Sequence, residues 1–270
     1  LFMQNKSTND ATEIIISKDE QFSETESKQF SPQTLRANVR NWAFFGWSNP
    51  VNSLINKIIN NSRDCSAYYD HKKSEAEFGD SFYFDKGLVF LKDKIVPEKS
   101  ASGEYYYQAK LNKAKYSIEL TGNVIEIDHI KFPHGSQGKI VLSKKYKICW
   151  SYMNFDHFYF SDKNILLDFN NVIISSDNKT EILFLFALLN SRLVKFLFNK
   201  YLKIGSEKNI LLGIKAIKEY FRVPSDVSKA DKAELTYIAE KIIENSNSEI
   251  IGLLDKKVYQ LFNISEAEIS

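Results

Sequence analysis

The sequence predicts an α+β fold, with a sheet-rich middle and a helical C-terminal third. Three observations carry this. Residues 182–198, ILFLFALLNSRLVKFLF, form the most apolar passage of the chain. Between 81 and 174, short runs of β-branched and aromatic residues alternate with turn-forming ones. Beyond 175 the apolar residues recur at the three-and-four spacing of helices.

The apolar passage is too short and too soon interrupted to be a membrane span. Its eight unbroken apolar residues, 182–189, are followed by Asn190, Ser191, Arg192 and Lys195. A membrane span needs about 18 to 20 apolar residues with few charges, and a run this deep in the chain is no signal peptide. A segment apolar on every side is buried on most of them. The passage therefore reads as a core helix over about 180–203.

Each further element follows from local signals. Residues 1–60 read as a lead-in: a polar linker with a Ser/Glu/Lys-rich stretch at 23–28, a strand at 13–17 and a helix over 32–45. A second helix begins at Pro50, which suits a first turn, and reaches residue 60. Residues 61–80 are polar and read as loop. Strands are expected at 81–84, 88–91, 105–108, 117–120, 124–127, 139–142, 147–151, 157–160 and 171–174, with TGN (121–123) and PHGSQG (133–138) as turns. Asp177 or Thr180 is the expected N-cap of the core helix. GSEKN (205–209) breaks that helix, a short helix runs to about residue 220, and Pro224 ends it. Two amphipathic helices follow, over 230–245 and 248–262. The domain expectation is a lead-in at 1–60, a sheet-and-helix body at 61–224, and a helical element at 225–270 packed on it.

With 270 residues, 43% of them hydrophobic and 14% aromatic, the chain has ample material for a core. Its net charge of +2 says little about partners, but the distribution says more. Residues 105–150 hold eight lysines against three acids, residues 181–222 eight cations against three acids, and residues 223–270 nine acids against five lysines. A basic middle before an acidic tail suits nucleic acid as well as plain solvated surface. Cys65 and Cys149 fit no metal or redox spacing and point to a reducing, cytoplasmic compartment. The chain begins at Leu1 and holds only two Met, so it reads as a segment of something longer.

Catalytic chemistry finds little support. No Gly-x-Gly occurs, which removes the usual dinucleotide and S-adenosylmethionine loops. SNPV (48–51) lacks the second proline and the aromatic of the Asn-Pro-Pro-aromatic motif. DHK (70–72) and DNK (177–179) have the Asp-x-Lys spacing of metal-dependent nucleases, so a nuclease fragment using Asp70 and Lys72 is one alternative. The histidines 71, 129, 134 and 157 are far apart in sequence.

The ordered series EILFLFALLNSRLVKFLFNKYL (181–202), GSEKNI (205–210), IKAIKEYFRVP (214–224), IAEKIIE (238–244) and LDKKVYQLFNISEAEI (254–269) resembles a known family. It is similar to the TaqI-like C-terminal specificity domain of adenine-specific DNA methyltransferases in bacterial restriction–modification systems, fused methylase–nucleases of the type IIG kind included. The match covers about residues 139–269. The resemblance implies sequence-specific recognition of double-stranded DNA, with a methyltransferase catalytic domain elsewhere in the same polypeptide. S-adenosylmethionine would belong to that parent enzyme, and this segment would hold no cofactor, no metal and no catalytic residue. Asn190 and Ser191 then serve hydrogen bonding and close packing where the core helix meets neighbouring backbone.

Such recognition needs lysines on phosphates and polar or aromatic side chains on base edges. YYYQAKLNKAKY (105–116) and KIVLSKKYKICWSYMNFDHFYF (139–160) interleave both. The candidates are Tyr105, Gln108, Asn112, Asn154, His157 and Tyr159 for reading or stacking, and Lys110, Lys113, Lys139, Lys144, Lys145 and Lys147 for phosphate. Strand alternation turns Lys145 away from Lys144. Ser206 and Lys208 in GSEKN could receive a further phosphate. A protein-interaction module without DNA affinity is the remaining alternative.

Overall fold

The computed structural model describes residues 48, 50–68, 92–112, 115–132, 138–153, 155–202, 210–265 and 267–268 fully, and the backbone of 2–3, 12–17, 25–30, 49, 83–86, 89–90, 136–137, 266 and 269. The helix expected over 32–45 and the break at 205–209 lie outside these residues.

β1 (Phe2–Met3), β2 (Thr12–Ser17) and β3 (Thr25–Phe30) form an antiparallel sheet in that order. β2 is the strand expected at 13–17. Residues 25–28 of the Ser/Glu/Lys-rich stretch, expected to be loose, are paired within β3, because a ladder uses backbone groups and demands no apolar side chain. α1 (Asn49–Asn60) carries Pro50 in its first turn and buries Leu54, Ile55 and Ile58. Directly after it comes β4 (Ser62–Asp64), where a loop was expected.

The middle is sheet, as its composition requires. Its elements are β5 (Tyr83–Lys86), β6 (Val89–Phe90), β7 (Val96–Pro97), β8 (Tyr105–Leu111), β9 (Ile118–Glu126), β10 (Ile130–Lys131), α2 (Ser136–Ser143), β11 (Tyr146–Ser151), β12 (Tyr159–Ser161), β13 (Ile165–Leu166) and β14 (Asn171–Ser176). One four-stranded sheet runs β12-β11-β14-β5, entirely antiparallel. A second runs β13-β8-β9-β7, with β13 parallel to β8. β10 pairs with β6.

Two expectations are corrected here. TGN is not a turn: residues 118–126 are one strand, and the ladder slips between Tyr107 and Ala109 opposite it. Gly122, at φ 75°, supplies the left-handed residue that lets β9 bulge without breaking. Residues 139–142 are helix, not strand, within α2. Val141 and Leu142 dock into the apolar layer beside Cys149 and Ile173, and this packing overrides the β preference of the Ile-Val pair.

Strand alternation divides β11 and β14 between two cores. Ile148, Trp150, Val172 and Ile174 face the helical side, while Cys149 and Ile173 face the second sheet with Ile125, Ile165 and Leu166. The central sheet is thus a middle layer, covered on both faces.

The helical third begins at α3 (Lys179–Asn190), in which every residue from Glu181 to Asn190 is buried. Asn178, rather than Asp177 or Thr180, is its N-cap, its side chain accepting from the Glu181 N–H at 3.1 Å. The single helix expected over 180–203 is two, because Ser191 takes an extended conformation (φ −67°, ψ 153°) before α4 (Arg192–Leu202). The Ser191 hydroxyl donates to the Leu188 carbonyl at 2.7 Å and accepts from the Val194 N–H at 3.3 Å, so one side chain closes α3 and caps α4. α5 (Ile214–Tyr220) leads into β15 (Arg222–Pro224), which pairs with β4. Pro224 therefore closes a ladder rather than merely ending a helix. α6 (Lys229–Asn245) opens with a Ser228–Asp231 capping box, and α7 (Ser248–Leu261) and α8 (Glu266–Ile269) complete the chain.

One continuous core joins α1, the central sheet and α3 to α7, from Leu54 to Ile264. Buried Glu181 is held within it by the Tyr68 hydroxyl at 2.7 Å and by the Lys232 ammonium. No helix of the described residues is long and apolar enough to cross a membrane.

Candidate nucleic-acid interface

Strand direction sorts the candidate residues into two groups at opposite ends of the sheets. Ser151 at the end of β11 pairs with Asn171 at the start of β14, and the C-terminal ends of β8 and β13 run to the same side. Residues 110–112, 115–117, 151–153, 155–158, 167–171 and 210–213 therefore meet at one end, the loop end. Tyr146 pairs with Ser176 at the other, roughly 17 Å along the strand.

The loop end holds a cavity of about 270 Å3 lined by Lys110, Ser151, Asp156, Tyr159, Asp168 and Asn171 among others. Lys110 is exposed at its rim, and among the described residues neither it nor exposed Lys115 has a side-chain ion-pair or hydrogen-bond partner. Both acids are turned to local donors. Asp156 accepts from the Tyr159 hydroxyl at 3.0 Å and from the His157 N–H at 2.7 Å. Asp168 accepts from the Asn170 N–H at 3.0 Å and the Asn171 amide at 2.7 Å, which closes a tight turn. Asn112 donates to Glu119 at 2.9 Å, across from the end of β8 to β9.

His157 and Tyr159 support this end from beneath and do not reach outward. The His157 ring is buried, 4.5 Å from the Tyr116 ring and 4.3 Å from that of Tyr159. Its Nε2 lies 2.9 Å from the Lys115 carbonyl, which can only accept, so Nε2 carries the proton. Burial pushes the imidazole pKa below its usual value, leaving the ring neutral near pH 7. Tyr159 is buried with its hydroxyl on Asp156, and burial, then that carboxylate, raises its pKa. Neither ring is placed to stack on or read a base, which corrects the expectation for both.

At the opposite end the expected phosphate lysines are largely spent. Lys144 pairs with Asp177 at 2.8 Å. Lys145 is exposed, with its ammonium 5.3 Å over the Tyr146 ring. Lys147 is fully buried and donates to the carbonyls of Lys144 and Lys163. Desolvation pushes its pKa down to about 8. The alternation that separates Lys145 from its neighbours puts Lys147 on the face covered by the second sheet, where no phosphate reaches it. Tyr105 also stands at this end, its hydroxyl 3.3 Å from Glu98 and its ring edge-on to Tyr107. Gln108 lies in the bulge, accepting from the Thr121 hydroxyl at 3.1 Å. Lys139 is exposed on α2. Lys113, Asn154, Ser206 and Lys208 lie outside the described residues, as do Asp70 and Lys72 of the nuclease alternative.

The second Asp-x-Lys pair is dispersed: Asp177 turns to Lys144 and Lys179 to Glu240 at 2.7 Å. Among the described residues no group of three or more His, Cys, Asp or Glu is placed to hold a metal. What sequence reasoning missed is the apolar part of the loop end: Met153, Phe169 and Leu211 are about half exposed there. Phe169 carried a signal, an aromatic inside the turn string DFNN.

No protein-family model matches the chain, and no curated protein matches it. Among solved structures, the type IIG restriction endonuclease BpuSI is similar over 91% of this chain and 37% of its own, at 13% identity and TM-score 0.47. The S subunit of a type-I restriction-modification system from M. genitalium is similar over 60% of this chain and 35% of its own, at 18% identity and TM-score 0.35. The chain thus spans little more than a third of either protein's length.

Proposed function

We propose that this chain is the DNA target-recognition part of a restriction–modification protein. In this reading it grips duplex DNA at the loop end and presents the target to an adenine-N6 methyltransferase domain of the same polypeptide. That domain would bind S-adenosylmethionine and act on an adenine swung out of the duplex. The observation that carries the reading is the contrast between the two ends. Lys110 lines the cavity and, like exposed Lys115 of the same end, has no carboxylate partner among the described residues, while at the far end Lys144 and Lys179 have carboxylate partners and exposed Lys145 lies over the Tyr146 ring. Unpaired surface lysines beside polar side chains supply both parts of recognition, phosphate grip and base-edge hydrogen bonding. The resemblance of residues 139–269 to the specificity domains supports the same assignment.

The experiment is fluorescence anisotropy of this chain with a labelled 30-base-pair duplex over a salt series. The expected result is weak binding that falls linearly in log affinity against log salt. Absence of any salt-dependent binding overturns the proposal.

A further inference from the structure

We propose that Met153, Phe169 and Leu211 form an apolar wedge that enters and partly unstacks a base step of the bound duplex; this rests on the DNA-recognition reading above. The three side chains are 51%, 53% and 49% exposed. Single exposed hydrophobics are ordinary on any surface. These three come from three separate segments and are brought to one place.

Tyr152 is the junction. Its N–H donates to the Asn170 carbonyl at 2.8 Å, and its carbonyl accepts from the Leu212 N–H at 3.0 Å. Each wedge residue is one position from a member of this three-lane junction. These two hydrogen bonds tie the three segments together at the loop end.

The lanes are held stiffly. Trp150 donates its indole N–H to the Leu212 carbonyl at 2.7 Å. Gly213 lies so close to Tyr152 that a Cβ there would stand 3.0 Å from the ring. The Asp168 turn fixes the backbone under Phe169. A wedge must be rigid to transmit binding energy into unstacking, since a loose one would fold back onto its own surface.

The surroundings fit DNA better than a protein. Exposed Lys110 and Lys115 belong to the same loop end as the patch, and the two acids of its cavity, Asp156 and Asp168, are engaged by local donors. Apolar side chains inserted between base steps beside cationic phosphate contacts are a general way of deforming a duplex. Unstacking costs a few kcal/mol at a paired step and less at a defective one.

The test compares a fully paired 30-base-pair duplex with the same duplex carrying one central mismatch. Wild type should prefer the mismatched duplex by about tenfold. The triple variant Met153→Ala, Phe169→Ala and Leu211→Ala should reduce that preference below about twofold, with its thermal midpoint and salt slope unchanged. Salt-dependent binding with no mismatch preference, or a preference that survives the triple variant, overturns the wedge and leaves the recognition reading standing. Loss of all DNA binding by wild type removes both. Sedimentation of wild type as a dimer that the triple variant dissolves would show a second copy on the patch and also overturn the wedge.

Discussion

Asn190 pairs with the backbone of Phe158 as if it were a strand. Its side-chain oxygen accepts from the Phe158 N–H at 3.0 Å, and its amide donates to the Phe158 carbonyl at 3.2 Å and the Phe186 carbonyl at 3.1 Å. One primary amide thus satisfies both the buried N–H and the buried C=O of Phe158, which leads into β12. It also anchors the segment carrying Asp156 and His157 to the end of α3.

Asn190→Asp should destabilise the chain by about 2 to 4 kcal/mol, because the Phe158 and Phe186 carbonyls would lose their donor and face a buried carboxylate. Leu188→Ala and Leu189→Ala should cost about 2 to 5 kcal/mol each, as truncations in a packed core do. Urea unfolding reads all three. A midpoint within error of wild type for any of them contradicts its assigned environment.

Buried Glu181 makes a second prediction. Lys232→Met leaves its carboxylate with the Tyr68 hydroxyl alone and should cost about 3 kcal/mol. Adding Glu181→Gln to that variant should restore most of the loss, since the uncompensated charge is gone. A double variant no more stable than Lys232→Met would show that packing, not charge, sets the cost.

Lys147 predicts a pH dependence. Its pKa in the folded chain is about 8 against 10.5 for an unhindered lysine, so between those values the unfolded chain binds more protons. Stability from this group is therefore lowest below pH 8 and rises up to about pH 10.5, by on the order of 3 kcal/mol. The check is the stability difference between wild type and Lys147→Met at pH 7 and pH 10. A difference constant with pH would mean that Lys147 is solvated.

For DNA, Lys110→Ala with Lys115→Ala should flatten the slope of log affinity against log salt by up to about 2 units, at −0.9 per phosphate contact. Lys144→Ala with Lys145→Ala should leave it unchanged, because one of those ammonium groups is already paired and both stand at the far end of the sheet. The reverse ranking would move the DNA face to that end.

The kind of each element was legible where one periodicity held without competition. α6 and α7 showed their apolar stripes, β11 and β14 their β-branched runs, and 182–189 its burial, because a segment apolar all round has no face to give to water. Period-two alternation also determined that Lys147 shares a face with Cys149. It could not say that the face is interior. Only the second sheet and α2, laid over it by contacts distant in sequence, make it so. The same holds for 139–142, where docking of Val141 and Leu142 decided helix against a local preference for strand. The grouping at the loop end has no local expression: Lys110, Ser151, Asp168 and Leu211 are far apart in the chain, and strand order and direction bring them together. Sequence by itself determined the strongly periodic strands and helices and the core segment 182–189, since these follow from the spacing of side chains along one backbone. Tertiary structure decided which charged and aromatic side chains face water, since that depends on what covers each face.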